Sequence, residues 1–223
     1  MEITWRDKTI TCEEGTTLFD ISKQVEKEYE FPIIVAKVDG VIQELYHEVI
    51  DGTTVSFCTT KDSDGKRAYI RGMSMLLLKA IQEEKAFKEE DRITIDFCLD
   101  SGYYCHLNSK EKPTKELLNR LEKRMREDVK KDIRFEKVVM RTRDARRMFE
   151  KKHMSDKSNL LKYRRNSRMT VYHLGDFTDY YYGAMPYSTG ILTHFRLELF
   201  EDGLSLWFRK KRHLLQCLNL NQA

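Results

Sequence analysis

The first sixty residues combine strand-like alternation of hydrophobic positions with one short amphipathic helix. Leu18, Ile21 and Val25 recur at helical spacing, which places them on one face of a helix. Either Thr16 or Thr17 supplies the side-chain oxygen expected at its N-terminus. Alternating or continuous apolar positions predict strands over residues 2–6, 9–12, 33–38, 41–42 and 53–59. The order of elements, two strands, a helix and further strands, predicts a small mixed unit.

Longer helices and further strands follow a polar hinge at residues 61–66. Met73, Leu77 and Ile81 share one face of a predicted helix of about four turns. Thr114 is the expected N-cap of a second long amphipathic helix, and Thr142 that of a shorter one. Further strands are predicted over residues 93–97, 103–107, 135–140, 169–174, 195–200 and 204–208. These patterns predict an α+β chain.

Composition indicates a globular protein. Of the 223 residues, 40% are hydrophobic and 34% are charged. No apolar run approaches the roughly 20 residues of a membrane span, and the N-terminus lacks the pattern of a signal peptide. The five cysteines are odd in number and scattered, which is typical of reduced thiols. We therefore expect a cytoplasmic protein that does not bind a membrane.

Charge is distributed unevenly along the chain. Residues 1–60 hold 5 Lys and Arg against 12 Asp and Glu, whereas residues 110–168 hold 22 against 10. The basic segment predicts binding of phosphate or RNA, although a solvated helical face would have the same composition. The candidate phosphate-binding residues are Arg146, Arg147, Lys162, Arg164, Arg165 and Arg168. The acidic segment is expected to contact the basic one or a protein partner.

The first segment resembles a TGS domain, a β-grasp module found in threonyl-tRNA synthetases. The matching stretches are residues 14–18, 35–40 and 59–62, which keep the family's order and spacing. The order β-β-α-β-β is itself a β-grasp pattern. The resemblance implies a β-grasp TGS domain over residues 1–60.

Residues 67–208 resemble the editing domain of threonyl-tRNA synthetases, an α+β fold. The resemblance is carried by the helix 71–81, by residues 102–104, 121–125 and 145–149, and by the loop Gly175–Gly190. That loop resembles a family pattern in which Cys and His, four positions apart, bind a metal. The resemblance implies an editing-like domain at 67–208, with residues 209–223 as a basic tail and a truncated end.

The metal ligands of that family are replaced in this sequence. The resemblance places Arg71 and Met75 at the two helix His positions, and Tyr181 and Met185 at the loop Cys and His positions. Arg stays protonated and a thioether does not suit Zn²⁺, so no metal, cofactor or catalytic residue is expected. The candidate residues of a metal-less binding pocket are Arg71, Met75, Tyr104, His106, Asp179, Tyr181 and Met185.

Other interpretations of the same residues stay open. Cys105, His106 and Asp179 are an alternative nucleophilic or metal site, although neighbours in a strand point to opposite faces. The tyrosines Tyr180–Tyr182 provide either a stacking platform in the pocket or core packing.

A TGS module followed by a metal-less editing-like domain also resembles the front half of bacterial nucleoside kinases similar to uridine kinase. This resemblance implies a non-catalytic regulatory region that binds RNA, a nucleotide or an aminoacyl ligand. Kinase activity would belong to a domain absent from the chain, since no phosphate-binding loop is present. The alternatives are an aminoacyl-tRNA editing hydrolase and a purely structural dimerisation domain.

Overall fold

The computed structural model describes residues 1–84, 92–99, 102–108, 112–152, 154–200 and 203–207. The described strands are β1 Glu2–Trp5, β2 Lys8–Thr11, β3 Ile33–Val38, β4 Val41–Gln43, β5 Thr54–Thr59, β6 Arg92–Leu99, β7 Gly102–Asn108, β8 Glu136–Arg141, β9 Arg168–Leu174, β10 Phe177–Asp179, β11 Arg196–Phe200 and β12 Gly203–Trp207. The described α-helices are α1 Leu18–Val25, α2 Ser63–Gln82, α3 Lys115–Lys131, α4 Thr142–Lys151 and α5 Ser155–Lys162. The structure is therefore mixed α+β with several sheets.

The chain packs into two compact units, which differ in extent from the predicted domains. The first unit holds the described residues within 1–76 and 131–191, and the second holds those within 77–130 and 192–207. A compact unit is defined by packing and not by continuity of sequence. The predicted limits at residues 60, 66 and 208 therefore stay predictions, and the predicted tail at 209–223 lies outside the described residues.

A five-stranded sheet with the order β2-β1-β5-β3-β4 forms one part of the first unit. Strands β1 and β5 run parallel, and the other neighbouring strands run antiparallel. The apolar face of α1 contributes Leu18, Ile21 and Val25 to the core under this sheet. Thr17 begins the helix in a capping box with Asp20, so the second of the two predicted N-caps is confirmed.

A three-stranded antiparallel sheet with the order β10-β9-β8 forms the other part of the first unit. Helices α4 and α5 cover it, and Ala145, Phe149 and Leu161 pack against Val171 of β9. The prediction that Thr142 is the N-cap of α4 is wrong. Arg141 occupies that position without a capping side chain, and the Thr142 hydroxyl donates to the carbonyl of Asn166.

The second unit contains an antiparallel sheet with the order β11-β12-β7-β6. Helix α3 buries Leu117, Leu118, Leu121 and Met125 on one face, as its sequence pattern predicts. Thr114 accepts a hydrogen bond from the Leu117 amide, as expected of its N-cap. No helix among the described residues is long and apolar enough to cross a membrane.

Candidate functional site

Two of the predicted pocket residues lie one turn apart on α2. The Nε of Arg71 donates a 3.0 Å hydrogen bond to the carbonyl of Ala184, in the loop that follows β10. Burial lowers the pKa of the Arg71 guanidinium. Met75 is fully buried. Arg71 therefore binds the loop after β10, and Met75 packs in the core.

The loop positions are also occupied by packing side chains. Met185 is 1% exposed, and its amide donates to the carboxylate of Glu44. The Tyr181 hydroxyl is buried without a hydrogen-bond partner among the described residues. Burial, together with the charge of Asp179, raises the pKa of Tyr181. Tyr181 is therefore a neutral phenol at ordinary pH.

The four positions do not form the donor set that a zinc ion requires. Zn²⁺ in proteins takes thiolate, imidazole or carboxylate ligands, and Arg71, Met75, Tyr181 and Met185 supply none of these. Among the described residues, no group of three or more His, Cys, Asp and Glu side chains could hold a metal ion. A zinc site of the kind expected from the resemblance does not fit the side chains at this place.

Asp179, at the end of β10, is engaged in local contacts. Its carboxylate forms an ion pair of 2.5 Å with Lys157 and accepts a hydrogen bond from the Tyr180 amide. The side chain is buried. These contacts position the start of the loop and leave Asp179 poorly placed to act as a free base.

Tyr104 and His106 belong to the second unit, on β7. Tyr104 is buried and makes an edge contact with the ring of Phe200, with centroids 5.6 Å apart. His106 is exposed, whereas Cys105 beside it is fully buried, so the two alternate as strand neighbours do. The structure does not join Cys105 and His106 into a Cys–His pair.

A buried carboxylate that the sequence analysis missed lies in the first unit. Glu44 is 2% exposed and accepts hydrogen bonds from Lys137 at 2.8 Å, Tyr172 at 2.6 Å and Tyr46 at 2.8 Å. Burial alone would raise the pKa of Glu44, but these donors and the Met185 amide hold the pKa below its usual value. No local sequence pattern predicts that Glu44 is buried and hydrogen-bonded, because three of its partners lie more than 90 positions away in sequence.

The predicted phosphate-binding residues come together in the first unit. They line a cleft of about 820 Å³ between α4, α5 and the strand ends of β8 and β9. The charged side chains that line it are Arg141, Arg143, Arg146, Arg147, Glu150, Lys162, Arg164, Arg165 and Arg168. Eight cations therefore face one carboxylate. We call this feature the basic cleft.

Several of these cations are not neutralised within the protein. Arg141 pairs with Asp144 and Arg146 pairs with Glu150, each at the exposed surface. No ion pair within the described ranges involves Arg147, Lys162, Arg165 or Arg168. A cleft with unpaired guanidinium groups is suited to bind phosphate, because each group presents a fork of donors.

A second groove differs from the basic cleft in its balance of charge. This groove, of about 950 Å³, lies between α3 and β11 in the second unit. Its charged lining residues are Lys115, Glu122, Lys123, Arg126, Glu127, Lys130, Arg196 and Glu198. Five cations and three carboxylates nearly balance there, so this groove offers no comparable site for a polyanion.

Comparison with known proteins points to aminoacyl-tRNA synthetases. No protein-family model matches the chain. The chain is 29% identical over 184 residues to the threonine–tRNA ligase of Clostridium kluyveri, which is 82% of this chain and 28% of the relative. It is 26% identical over 199 residues to the threonine–tRNA ligases of Caldanaerobacter subterraneus and Thermus thermophilus, each covered to 30% of its length.

The similarity supports a threonyl-tRNA synthetase-like region in this chain. The chain spans less than a third of the length of these relatives. The relatives are ligases that act on tRNA, so they favour the synthetase-related interpretation over the nucleoside-kinase interpretation. Nothing in the comparisons supports the link to uridine kinase.

Proposed function

We propose that the chain is a tRNA-binding domain of the synthetase editing type, which holds the RNA backbone in the basic cleft. The observation that carries this proposal is the cleft itself, with its eight cations and one carboxylate. The similarity to threonine–tRNA ligases supports tRNA as the form of RNA. The release of counterions from the RNA phosphates would make such binding strongly salt-dependent.

A salt titration of tRNA binding tests the proposal. The affinity of the full chain for deacylated tRNA would be measured by filter binding over a range of salt concentrations. The variant Arg147→Glu/Arg165→Glu should bind at least about tenfold more weakly, because two phosphate contacts become repulsive. The control Lys27→Glu/Lys66→Glu changes the net charge equally at exposed lysines outside the cleft and should bind like the wild type. Equal losses in both variants would contradict a specific site.

The finer domain assignment is part of the same proposal. We propose that residues 1–60 are a TGS β-grasp module and that residues 67–208 are an editing-like domain. The sheet order β2-β1-β5-β3-β4, with α1 packed on it, supports a β-grasp arrangement. Expression of residues 1–66 alone, followed by a cooperative unfolding transition, would test whether this module is independent.

Aminoacyl-tRNA deacylation is the second candidate function. The threonine–tRNA ligase relatives favour it, since editing is the expected activity of such a domain. The side chains at the inherited ligand positions oppose the inherited mechanism. Incubation of the protein with mischarged aminoacyl-tRNA, with and without a chelator, distinguishes the two candidates. Turnover that the chelator abolishes would establish a metal hydrolase and overturn the purely binding role.

The regulatory region of a nucleoside kinase remains the weaker proposal. It predicts that the chain binds a nucleoside or nucleotide in preference to tRNA. Competition of bound tRNA by uridine or its phosphates at low concentration would support it. Indifference to these small ligands would count against it.

A further inference from the structure

An exposed aromatic ring stands beside the basic cleft in a fixed orientation. Tyr182 is 68% exposed, yet its hydroxyl accepts a 2.7 Å hydrogen bond from Nη1 of Arg164. The Arg164 guanidinium also lies 5.2 Å from the centre of the Tyr182 ring. The Arg164 guanidinium therefore contacts both the hydroxyl and the ring of Tyr182. The apolar ring stays exposed to solvent in this position.

Further rings brace Tyr182 from the inside of the unit. Tyr180 contacts Tyr182 at a centroid distance of 6.0 Å and an angle of 85°. Tyr180 in turn contacts the buried Phe149 of α4 at 6.2 Å. The series of edge contacts runs from the core to the surface, so the orientation of the Tyr182 ring is set by the fold before any ligand arrives.

The backbone after Tyr182 maintains this arrangement. Gly183 adopts a φ of +98°, and a Cβ at this residue would lie 2.8 Å from Nη2 of Arg71. The turn thus lies against α2 while Tyr181 points inward and Tyr182 points outward. Of these two consecutive tyrosines, Tyr181 packs inside the unit and Tyr182 is exposed to solvent.

Arg164 connects the ring to the cleft, because it also lines the basic cleft. A ligand that binds in the basic cleft can therefore contact both its cations and the exposed ring of Tyr182. Unpaired nucleotides have this chemistry, since each has a phosphate and a base with a flat face. Paired bases are already stacked within a duplex and cannot use the ring.

We propose that Tyr182 is a stacking platform for one unpaired base of an RNA whose backbone lies in the basic cleft. This inference rests on the proposed RNA binding and deepens it, because it specifies a single-stranded segment. Tyr163 provides a contrast. It is 87% exposed, but no ring contact within the described ranges fixes its orientation, so it is not expected to stack in the same way.

Two RNA hairpins with the same stem test the inference with the full chain. One hairpin is blunt, and the other carries a short single-stranded 3′ overhang that contains 2-aminopurine. The wild type should prefer the overhang by about tenfold, the usual effect of stacking one base, and should quench the fluorophore. Tyr182→Ala should lose the preference and the quenching, with unchanged affinity for the blunt hairpin. Tyr182→Phe and Tyr163→Ala should retain both.

The outcomes separate this inference from the proposed function. If Tyr182→Ala keeps the preference and the quenching, the stacking platform is refuted while RNA binding stands. If the wild type binds neither hairpin and the charge-reversal variant makes no difference, RNA binding in the cleft is refuted, and the stacking platform with it.

Discussion

The hydroxyl of Tyr172 donates a 2.6 Å hydrogen bond to the carboxylate of Glu44, which lies 128 positions earlier in the chain. The same carboxylate accepts hydrogen bonds from Lys137, 93 positions away, and from the amide of Met185, 141 positions away. One buried side chain thus joins the segment after β4 to β8, β9 and the candidate loop. The packing of Phe19 on Tyr187, with ring centroids 3.9 Å apart, adds a second connection between these parts of the first unit.

Removal of the Glu44 carboxylate should destabilise the first unit. Glu44→Ala leaves the Met185 amide without its acceptor and Lys137 without its carboxylate, which should cost about 3 kcal/mol in the free energy of unfolding. Urea denaturation followed by circular dichroism would measure the change. The control Glu48→Ala removes an exposed carboxylate nearby and should change stability by less than about 0.5 kcal/mol. Similar effects of the two variants would contradict the importance of the network.

The stability that Glu44 provides should depend on pH. Although burial opposes ionisation, the pKa of Glu44 is lower in the folded protein than that of an ordinary glutamate, because its hydrogen-bond donors favour the charged form. Its contribution is therefore complete above the unfolded pKa and is lost as the pH falls through the lower, folded pKa. The difference in unfolding free energy between the wild type and Glu44→Gln should be constant near neutral pH and shrink below about pH 4. A difference that grows on acidification would refute this assignment.

In the second unit, substitution of one partner in a buried ion pair between α2 and α3 should lower the free energy of unfolding. Lys79 donates to Asp128 at 2.6 Å, and both side chains are almost fully buried. Asp128→Asn removes the buried negative charge and leaves Glu83, 37% exposed, as the one carboxylate paired with Lys79 among the described residues, which should cost about 3 kcal/mol. Glu83→Gln, the matched control, should cost less than about 1 kcal/mol. The urea midpoint of each variant gives the comparison.

Gly183→Ala should destabilise the loop more than Gly15→Ala does. Both glycines have positive φ values, +98° and +83°, so each substitution costs about 1–2 kcal/mol in the backbone. Only at Gly183 does the new Cβ also meet a side chain, Arg71, whereas nothing lies within 4 Å at Gly15. Melting temperatures of the two variants should therefore differ, with Gly183→Ala lower. Equal temperatures would show that Arg71 moves aside freely.

Each phosphate contact in the basic cleft should contribute to the salt dependence of RNA binding. Arg165→Gln should reduce the slope of log affinity against log salt by about one, since one fewer counterion is released. Lys27→Gln, at an exposed lysine with no ion pair among the described residues, should leave the slope unchanged. Anisotropy titrations of labelled tRNA at several salt concentrations would measure both slopes. An unchanged slope for Arg165→Gln would remove this residue from the interface.

Much of the local structure was predictable from the sequence. The helical spacing of Leu18, Ile21 and Val25 and the capping oxygen of Thr17 are properties of neighbouring residues, and both predictions are confirmed. The strands at 33–38 and 169–174 were likewise placed within a residue of their observed bounds. The prediction of Thr142 as an N-cap is wrong. Its hydroxyl donates to the carbonyl of Asn166, 24 positions later, and a rule based on neighbouring residues cannot predict such a distant partner.

The sequence by itself determined the elements of this protein and the excess of cations between residues 110 and 168. It also led to the prediction that Arg71, Met75, Tyr181 and Met185 stand where a related family has metal ligands. Only the tertiary structure decided which cations share a cleft, that Asp179 is paired with Lys157, and that Glu44 accepts bonds from four donors. Periodicity and capping depend on residues within a few positions of one another. The site depends on side chains that become neighbours only when distant strands and helices pack together.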